Sequence, residues 1–225
     1  MIAPISLRQK LEWSRACSQA ITPYLESHPV RKLQLGTGTN VLDGWFNTDI
    51  CPSSSEVFFL DSTRSFSFDD ATFDYIFSEH HIEHITYSEG LFTLRECYRV
   101  LKPGGKIRIA TPSLEALISL YTPTPNDLQQ RYIQFTTDAF LPEIRVYDAA
   151  FVINNAFRNW GHQFLYDRAT LQNALEEVGF VDITLAVPGE SDDEQLRGVE
   201  KHGQFIGNEE MNRFETMVLE GMRPL

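Results

Sequence analysis

Cysteine is scarce in this chain of 225 residues. The three cysteines, Cys17, Cys51 and Cys97, are widely spaced and form no C-x-x-C pair. Their odd number and spacing argue against a disulfide framework and against a cysteine zinc site. Apolar runs long enough to span a bilayer are also missing, and the N-terminal sequence MIAPISLRQKLEW lacks the basic start and apolar stretch of a secretory signal. We therefore expect a cytoplasmic protein that does not insert into a membrane.

Positive charge is in short supply as well. Lys and Arg together number 19 against 31 Asp and Glu, which gives a formal net charge of −12. Nucleic-acid backbones and anionic membrane surfaces need a positive binding face, so neither is an expected partner. Repeats and low-complexity tracts are absent, and a hydrophobic content of 42% is typical of a globular protein. The length suits one α/β domain over residues 1–225, whereas nothing in the sequence indicates the oligomeric state.

Short apolar stretches alternate with segments of helical periodicity. Strands are predicted at residues 32–36, 45–50, 56–60, 73–78, 107–111, 181–187 and 214–219. Helices are predicted over residues 6–21, over about 81–101, and from an N-cap at Asp167 to Gly179. Pro103-Gly104-Gly105 is expected to end the second of these in a type II turn. This alternation predicts an α/β fold with a doubly wound, mainly parallel sheet.

The segment 122–161 has no strand pattern and carries polar and aromatic residues. At this length we expect an insertion with its own helices. Such an insertion could form a lid over a site or merely cover the edge of the sheet, and both interpretations stay open.

The first chemical signal is the run LGTGTN at 35–40, in which a predicted strand leads directly into G-x-G. Two glycines let the backbone turn sharply and approach a ligand, although such pairs also occur in ordinary tight turns. The next strand ends at Asp49, where a carboxylate can accept both hydroxyl hydrogens of a ribose. Asp61 and Ser62 follow the third strand. Three successive strands thus end in ligand-type residues, at the sheet edge where α/β proteins bind ligands.

In this order the motifs resemble those of the class I S-adenosylmethionine-dependent methyltransferases, most closely the type 11 methyltransferase-domain group. The resemblance lies in LQLGTGTN at 33–40, NTDI at 47–50, FLDSTRSF at 59–66, FDYIFSEHHIEH at 73–84 and RVLKPGGKIRIATP at 99–112, and continues more weakly through GHQFLYD at 161–167 and ETMVLEGMRP at 215–224. It implies a Rossmann-like seven-stranded sheet whose last strand is antiparallel, with S-adenosyl-L-methionine as cofactor. The cofactor-binding residues that it implies are Gly36, Thr37, Gly38, Asn40, Asp49, Ile50, Asp61, Ser62, Ser78, Glu79 and His80.

The chain departs from the family pattern at two places. Gln34 stands where the family often has an acidic residue, and its amide can bind the cofactor amine only through the carbonyl oxygen. The link from Gly36 to Asp49 is also short for a parallel crossover, which usually needs at least about a dozen residues. We therefore predict that the first crossover helix is reduced to a turn or two.

The densest polar cluster is EHHIEH at 79–84. His80, Glu83 and His84 fit the inverted zincin pattern H-x-x-E-H, so a zinc metallohydrolase is an alternative function, although a third ligand is missing. We favour a site without a metal, in which His80, His84 and His162 are catalytic candidates because a neutral imidazole can remove a proton near pH 7. Each also has a structural interpretation, in which Glu83 and His84 satisfy a helix start and His162 satisfies a turn.

The function that these observations favour is methyl transfer from S-adenosyl-L-methionine to an oxygen, nitrogen or carbon of a small molecule. Lys201 and His202, in the loop before the last strand, are further candidates for substrate contact. A nicotinamide-dependent oxidoreductase is an alternative, but Val41 replaces the third glycine of its G-x-G-x-x-G fingerprint. A domain that binds the cofactor without catalysis is another.

Overall fold

The structure is a computed structural model that describes residues 6–225, so the first five residues of the N-terminal sequence considered above lie outside it. In chain order the elements are α1 (Leu7–Ser27), β1 (Lys32–Leu35), β2 (Phe46–Asp49), β3 (Val57–Phe59), β4 (Phe73–Glu79), a 3-10 helix (Ile82–His84), α2 (Tyr87–Val100), β5 (Leu101–Pro112), α3 (Leu114–Ser119), α4 (Asp127–Phe140), α5 (Ala149–Arg158), α6 (Arg168–Val178), β6 (Val181–Ala186), α7 (His202–Ile206), α8 (Glu209–Glu215) and β7 (Thr216–Met222).

The seven strands form one sheet in the order β3-β2-β1-β4-β5-β7-β6. Strands β1 to β5 are parallel to their neighbours, and β7 is antiparallel to both β5 and β6. Helices cover the sheet, and the apolar side chains of its central strands, such as Leu33, Ile76 and Ile107, are almost completely buried. The predicted Rossmann-like methyltransferase fold, with its last strand antiparallel, is confirmed.

The strand order reverses between β1 and β4. The chain moves outward through β2 and β3, then returns to the other side of β1 and continues through β4 and β5. The loops after β1 and β4 therefore leave in opposite directions and open a crevice at the carboxyl ends of these strands, which is where doubly wound folds bind ligands.

The link between β1 and β2 is short, as predicted. Among the described residues, no α-helix lies between Leu35 and Phe46. A turn closed by the Asn40 N–H and the Thr37 carbonyl oxygen, at 2.9 Å, replaces it. The glycine loop, residues 36–41, is therefore not followed by a crossover helix that would cover it.

The helix predicted over about residues 81–101 ends where expected, at Val100, but its predicted start and its predicted terminating turn are wrong. Residues 82–84 form a 3-10 helix, and α2 begins only at Tyr87, because Thr86 and Glu89 form a capping box in which the Thr86 side chain accepts from the Glu89 N–H. At the other end the chain passes from α2 directly into β5. Gly104, with a φ of 77°, lies in an irregular stretch of this strand and donates its N–H to the Arg223 carbonyl oxygen at 2.8 Å, so Pro103-Gly104-Gly105 is not the predicted terminating turn.

The remaining differences are at element boundaries. Phe214 and Glu215 complete α8, so the last strand begins at Thr216 and not at 214. Helix α1 continues to Ser27, beyond the predicted end at 21. The predicted helix with Asp167 as N-cap and Gly179 at its C-terminus is confirmed as α6, with Gly179 at a φ of 111°.

Helices α4 and α5 occupy most of the segment 122–161. They pack with α3 and α8 around a second hydrophobic cluster that includes Leu117, Tyr132, Val152, Ala156 and Met211. This cluster lies beside the carboxyl end of β5, because α3 follows that strand directly and α8 precedes β7. In the described part of the chain, no helix combines the length and apolarity that crossing a membrane requires.

Candidate active site

Two cavities lie at the carboxyl ends of the central strands. The first, of about 530 Å³, lies against the glycine loop 36–41 and extends to Glu79 and Lys201. The second, of about 310 Å³, lies between the sheet and the helical insertion. Its wall is mostly apolar and aromatic, and is formed by His80, His84, Pro112, Leu117, Tyr132, Phe140, Ala156, Trp160, His162, His202, Phe205, Ile206 and Glu215. His80, His202 and Phe205 line both cavities, so the two spaces adjoin.

The two glycines of the loop have the same backbone conformation and different surroundings. Gly36 and Gly38 have φ values of 63° and 54°, in the left-handed region that favours glycine. A Cβ on Gly36 would lie 2.5 Å from Nδ1 of His81, whereas a Cβ on Gly38 would meet nothing within 4 Å. Gly36 therefore permits the close approach of the His81 ring, and Gly38 faces open space.

Asp49 fixes the glycine loop from the end of β2. Its Oδ2 accepts from the Gly38 N–H at 2.9 Å, and its Oδ1 accepts from the Cys51 N–H at 2.8 Å. Each carboxylate oxygen has a second lone pair, so these bonds leave acceptor capacity for ligand hydroxyl groups. Ile50, the next residue, is exposed beside it.

Ser62 connects the loop after β3 to the histidine cluster, the run EHHIEH at residues 79–84. Asp61 closes a local turn by accepting from the Thr63 N–H and hydroxyl, at 3.1 and 2.6 Å. The buried Ser62 places its Oγ 2.9 Å from Nε2 of His81. Burial lowers the pKa of His81, which therefore stays neutral near pH 7.

Glu79 ends β4 and connects two loops. Its Oε2 accepts from the Asn40 side-chain amide at 3.1 Å, and its Oε1 accepts from the backbone N–H groups of Lys201 and His202, at 3.0 and 2.9 Å. The sequence predicts Glu79 as a cofactor ligand. In the structure, its carboxylate joins the glycine loop to the segment that carries His202.

Several buried polar atoms at this end of β1 and β4 have no hydrogen-bond partner. They are Oε1 of Gln34, Oγ1 of Thr37 and Oγ of Ser78. Gln34 and Ser78 are the next-to-last residues of neighbouring parallel strands, and Leu35 pairs directly with Ser78. Buried polar atoms without partners are uncommon in folded proteins, so this group is where a polar ligand would be expected to bind.

His80 has protein partners on both ring nitrogens. Its Nε2 lies 3.1 Å from Oγ1 of Thr216, whose own hydroxyl donates to Asn212 at 2.9 Å, so the imidazole Nε2–H is the donor. Its Nδ1 lies 3.4 Å from Oε1 of the fully buried Glu83. Burial acts to lower the pKa of His80, but the carboxylate of Glu83, together with more distant acidic groups, outweighs it and raises the pKa. This environment favours the doubly protonated, positively charged form of the His80 ring.

A carboxylate–histidine pair that sequence reasoning missed lies beside His80. The His202 ring stacks on His80 with centroids 3.7 Å apart, and its Nε2 lies 3.1 Å from Oε1 of Glu215. Glu215 also accepts from the Tyr132 hydroxyl. Burial acts to raise the pKa of Glu215, but the hydrogen bond to His202 and the charge of His80 outweigh it and lower the pKa. The Glu215 side chain therefore remains ionised.

The other two predicted catalytic histidines form a separate group with Glu83. His84 Nε2 lies 3.9 Å from Glu83 Oε1, and the rings of His84 and His162 meet edge to face at 4.9 Å. The Nδ1–H of His162 donates to the Ala156 carbonyl oxygen at 2.7 Å. Burial acts to raise the pKa of Glu83, but the adjacent His80 and His84 rings lower it to about 2.

The segment that carries the H-x-x-E-H pattern has no α-helical geometry. His80 has a φ of 45°, and the 3-10 helix begins two residues later. Within residues 6–225, the set of potential metal ligands whose donor atoms lie within 4.8 Å of one another is Glu83, His84 and His162, without His80. The zinc pair of His80 and His84 that the alternative function requires is therefore not brought together.

Residues 48–109 match the family described as "Methyltransferase domain". This stretch runs from the end of β2 to β5 and includes Asp49, Asp61, Ser62 and the histidine cluster. The family match and the seven-stranded fold confirm the resemblance to class I S-adenosylmethionine-dependent methyltransferases. No curated protein sequence matches the chain significantly.

Solved methyltransferase structures share the fold. A SAM-dependent methyltransferase from Archaeoglobus fulgidus matches at a TM-score of 0.53 with 18% identity, over 95% of this chain and 93% of that one. An S-adenosylmethionine-dependent methyltransferase from Mesorhizobium loti matches at 0.50 with 17% identity, over 94% and 97%. Phosphoethanolamine N-methyltransferase 2 from Haemonchus contortus, solved with S-adenosyl-L-methionine, matches at 0.50 with 15% identity, over 100% of this chain and 54% of that one.

Proposed function

We propose that this chain transfers the methyl group of S-adenosyl-L-methionine to a small, largely apolar molecule. The observation that carries the proposal is the pair of adjoining cavities, one at the glycine loop and one under the helical insertion, with His80, His202 and Phe205 in the wall of both. A cofactor in the first and an acceptor in the second would meet at these side chains. The family match over residues 48–109 supports the same reaction class.

The residues at the first cavity fit the cofactor. Gly38 leaves open space, Asp49 has spare acceptor capacity for ribose hydroxyls, and Oε1 of Gln34 is a buried carbonyl oxygen without a donor. A carbonyl oxygen is the group through which an amide at this position can accept from the cofactor amine. When bound, S-adenosyl-L-methionine supplies the electrophilic methyl group, and the chain supplies orientation and proton handling.

Orientation is the larger contribution of the protein. In-line displacement needs the acceptor atom and the methyl carbon at near-attack distance, and holding both reactants in this geometry can remove about 7–11 kcal/mol of the barrier. The second cavity would hold the acceptor between the aromatic rings of Phe140, Trp160 and Phe205, with the Tyr132 side chain in the same wall.

Proton handling falls to His202 in this proposal. Because Glu215 accepts from Nε2–H, the neutral ring presents its lone pair on Nδ1, which is the arrangement that fits a general base. His80 differs, because both of its nitrogens already face protein groups. The sequence prediction of His80, His84 and His162 as catalytic residues remains a prediction.

The wall of the second cavity indicates the chemistry of the acceptor. None of the side chains that line it is Lys or Arg, and Glu215 contributes a carboxylate. A phosphate or carboxylate on the acceptor would meet no Lys or Arg side chain there and would share the cavity with the Glu215 carboxylate. We therefore expect a neutral or cationic acceptor with an aromatic or apolar body.

Calorimetric titration tests the cofactor assignment directly. S-adenosyl-L-methionine and S-adenosyl-L-homocysteine should bind, whereas NAD should not. Asp49→Ala should weaken binding by more than about 1 kcal/mol, since it removes charge-assisted hydrogen bonds. Asp43→Ala, which removes an exposed carboxylate from the same crossover, is the matched control and should leave affinity unchanged. Binding of NAD without binding of S-adenosyl-L-homocysteine would refute the proposal in favour of an oxidoreductase.

Transfer of a labelled methyl group separates an enzyme from an inactive binder. The protein is incubated with labelled S-adenosyl-L-methionine and two metabolite fractions, one rich in neutral and cationic aromatic compounds and the other in phosphorylated compounds. Label should enter the first fraction only. Cofactor binding without transfer into either fraction would identify a domain that binds the cofactor without catalysis.

A further inference from the structure

We propose that Glu83, His84 and His162 form a binding site for one divalent transition-metal ion, at the end of the second cavity. Glu83 and His84 come from the 3-10 helix after β4, and His162 comes from the loop after α5. Their donor atoms lie within 4.8 Å of one another. This site borders the cavity assigned to the acceptor and uses none of the residues assigned to cofactor binding.

The first support is the state of Glu83. Its side chain is completely buried, and its Oε2 accepts from the Thr111 hydroxyl at 3.0 Å. Its Oε1 accepts no hydrogen bond and lies 3.4 Å from Nδ1 of His80 and 3.9 Å from Nε2 of His84. A buried carboxylate is retained when a cation or ion pair compensates it, so this oxygen is aimed at a position where a positive charge is expected.

The second support is the orientation of His162. Its Nδ1–H donates to the Ala156 carbonyl oxygen at 2.7 Å, which leaves the lone pair on Nε2. A backbone carbonyl that holds the other ring nitrogen is the arrangement seen around metal-bound histidines, because it fixes both the tautomer and the ring. The loop itself is anchored to the same cluster, since the Gln163 N–H donates to the Glu83 carbonyl oxygen at 2.7 Å.

The ligand set indicates the class of metal. Two imidazoles and one carboxylate suit zinc, cobalt, nickel or ferrous iron better than magnesium or calcium, which prefer oxygen ligands. His84 and His162 also line the second cavity, so a remaining coordination position would face the space assigned to the acceptor. Three protein ligands with one open position are typical of metal sites that bind a small molecule.

His80 is the competing source of positive charge. Its Nδ1 lies 3.4 Å from Oε1 of Glu83, and a protonated His80 alone could neutralise the carboxylate. The two alternatives differ in a measurable way, because only a metal site involves His84 and His162 and binds cobalt with defined stoichiometry.

The test is a titration of the chain, without an affinity tag and after treatment with a chelator, with Co²⁺ followed by visible absorption. We expect one Co²⁺ per chain, the absorption of a low-symmetry complex, and its loss when Zn²⁺ is added. His84→Ala and His162→Ala should each weaken Co²⁺ binding by at least about 100-fold, since each removes a direct ligand and loss of an outer-shell partner alone costs about 10–100-fold. His28→Ala, in which the removed ring stacks on Tyr24 far along the chain, should leave it unchanged.

Circular dichroism and calorimetric titration with S-adenosyl-L-homocysteine establish that each variant is folded. The His162→Ala variant should retain cofactor binding, so failure of the metal site and failure of the proposed function are distinguishable. Absence of stoichiometric Co²⁺ binding would overturn the metal site. The negative charge of the buried Glu83 carboxylate would then be balanced by His80. Binding that is equally strong in both histidine variants would overturn it as well.

Discussion

At the scale of single residues, Gly36 and Gly38 form a natural pair for comparison. Both have a left-handed backbone, but only Gly36 has the His81 ring against it. Replacing either by Ala should cost about 1–2 kcal/mol for the unfavourable backbone. At Gly36 the new Cβ must also displace the ring, which adds about 1–3 kcal/mol. Unfolding in urea should therefore show Gly36→Ala to be clearly less stable than Gly38→Ala.

The double variant identifies the cause of this difference. In a His81→Ala background the ring is absent, so Gly36→Ala and Gly38→Ala should then have similar costs. A difference that persists without the ring would assign the sensitivity of Gly36 to something other than its contact with His81.

The same scale sets the expectation for His202. Replacing His202 by Gln removes the proposed base and should lower kcat by about 10²–10⁴-fold, the usual contribution of general base catalysis. Because His202 also lines the first cavity, cofactor affinity is measured in parallel so that a loss of kcat can be separated from a loss of binding.

The matched control is His28→Gln, which leaves both cavities intact. Retention of the original kcat in His202→Gln would assign proton removal to another group, and the sequence-predicted His84 and His162 would then be the next candidates.

At the scale of elements, one ion pair connects α2 to the chain that precedes β4. Glu96 accepts from Arg99 at 2.8 Å and from the Phe66 N–H at 2.6 Å, while Arg99 donates to the Phe68 carbonyl oxygen at 2.8 Å. The hydrogen bond with Arg99 outweighs burial and lowers the pKa of Glu96. The helix and the segment 66–70 are thereby held together through charged groups.

This lowered pKa determines how the stabilisation depends on pH. The contribution of the Glu96 carboxylate is fully present above the ordinary carboxyl pKa of 4.5 and is lost as the pH falls through the lower value in the folded state. Glu96→Gln should therefore be less stable than the original protein at pH 7, and the gap should narrow below about pH 4.5. Free energies of unfolding measured between pH 7 and pH 3.5 check this, with exposed Glu177→Gln as the control. A gap that is constant with pH would contradict the lowered pKa.

The elements also show which features are readable in the sequence. Strand positions follow from the apolar runs, and the short first crossover follows from the number of residues between Gly36 and Asp49. Helix α6 follows from its capping residues Asp167 and Gly179. All of these signals act locally along the chain. The true start of α2 was readable too, because Thr86 and Glu89 have the spacing of a capping box. The pair of His202 and Glu215 was not, because it depends on how α7 and α8 turn back beside β7. His162 reaches Glu83 in a similar way, through a tertiary contact that no local spacing encodes.

At the scale of the whole molecule, the described chain has a central core around the sheet and a second core under α4 and α5. Strands β4 and β5 have neighbouring strands on both sides, whereas α4 and α5 pack mainly against other helices. Native-state hydrogen exchange should therefore show a lower opening free energy for the amides of α4 and α5 than for those of β4 and β5.

An acceptor molecule bound in the second cavity should reduce this difference, since Tyr132 and Ala156 of these helices form part of its wall. Equal protection of both regions in the free protein would show instead that the helical insertion opens only with the whole domain. Such a result would exclude the insertion as an independently moving lid.

The carboxylate of Glu79 couples the free energies of binding at the two cavities. It accepts from the Asn40 side chain on one side and from the backbone of Lys201 and His202 on the other. A ligand that orders either loop thus reduces the entropy still to be lost when the other loop is ordered. Thermodynamic linkage then requires reciprocity, so the factor by which the methyl donor tightens binding of the acceptor must equal the factor by which the acceptor tightens binding of the donor.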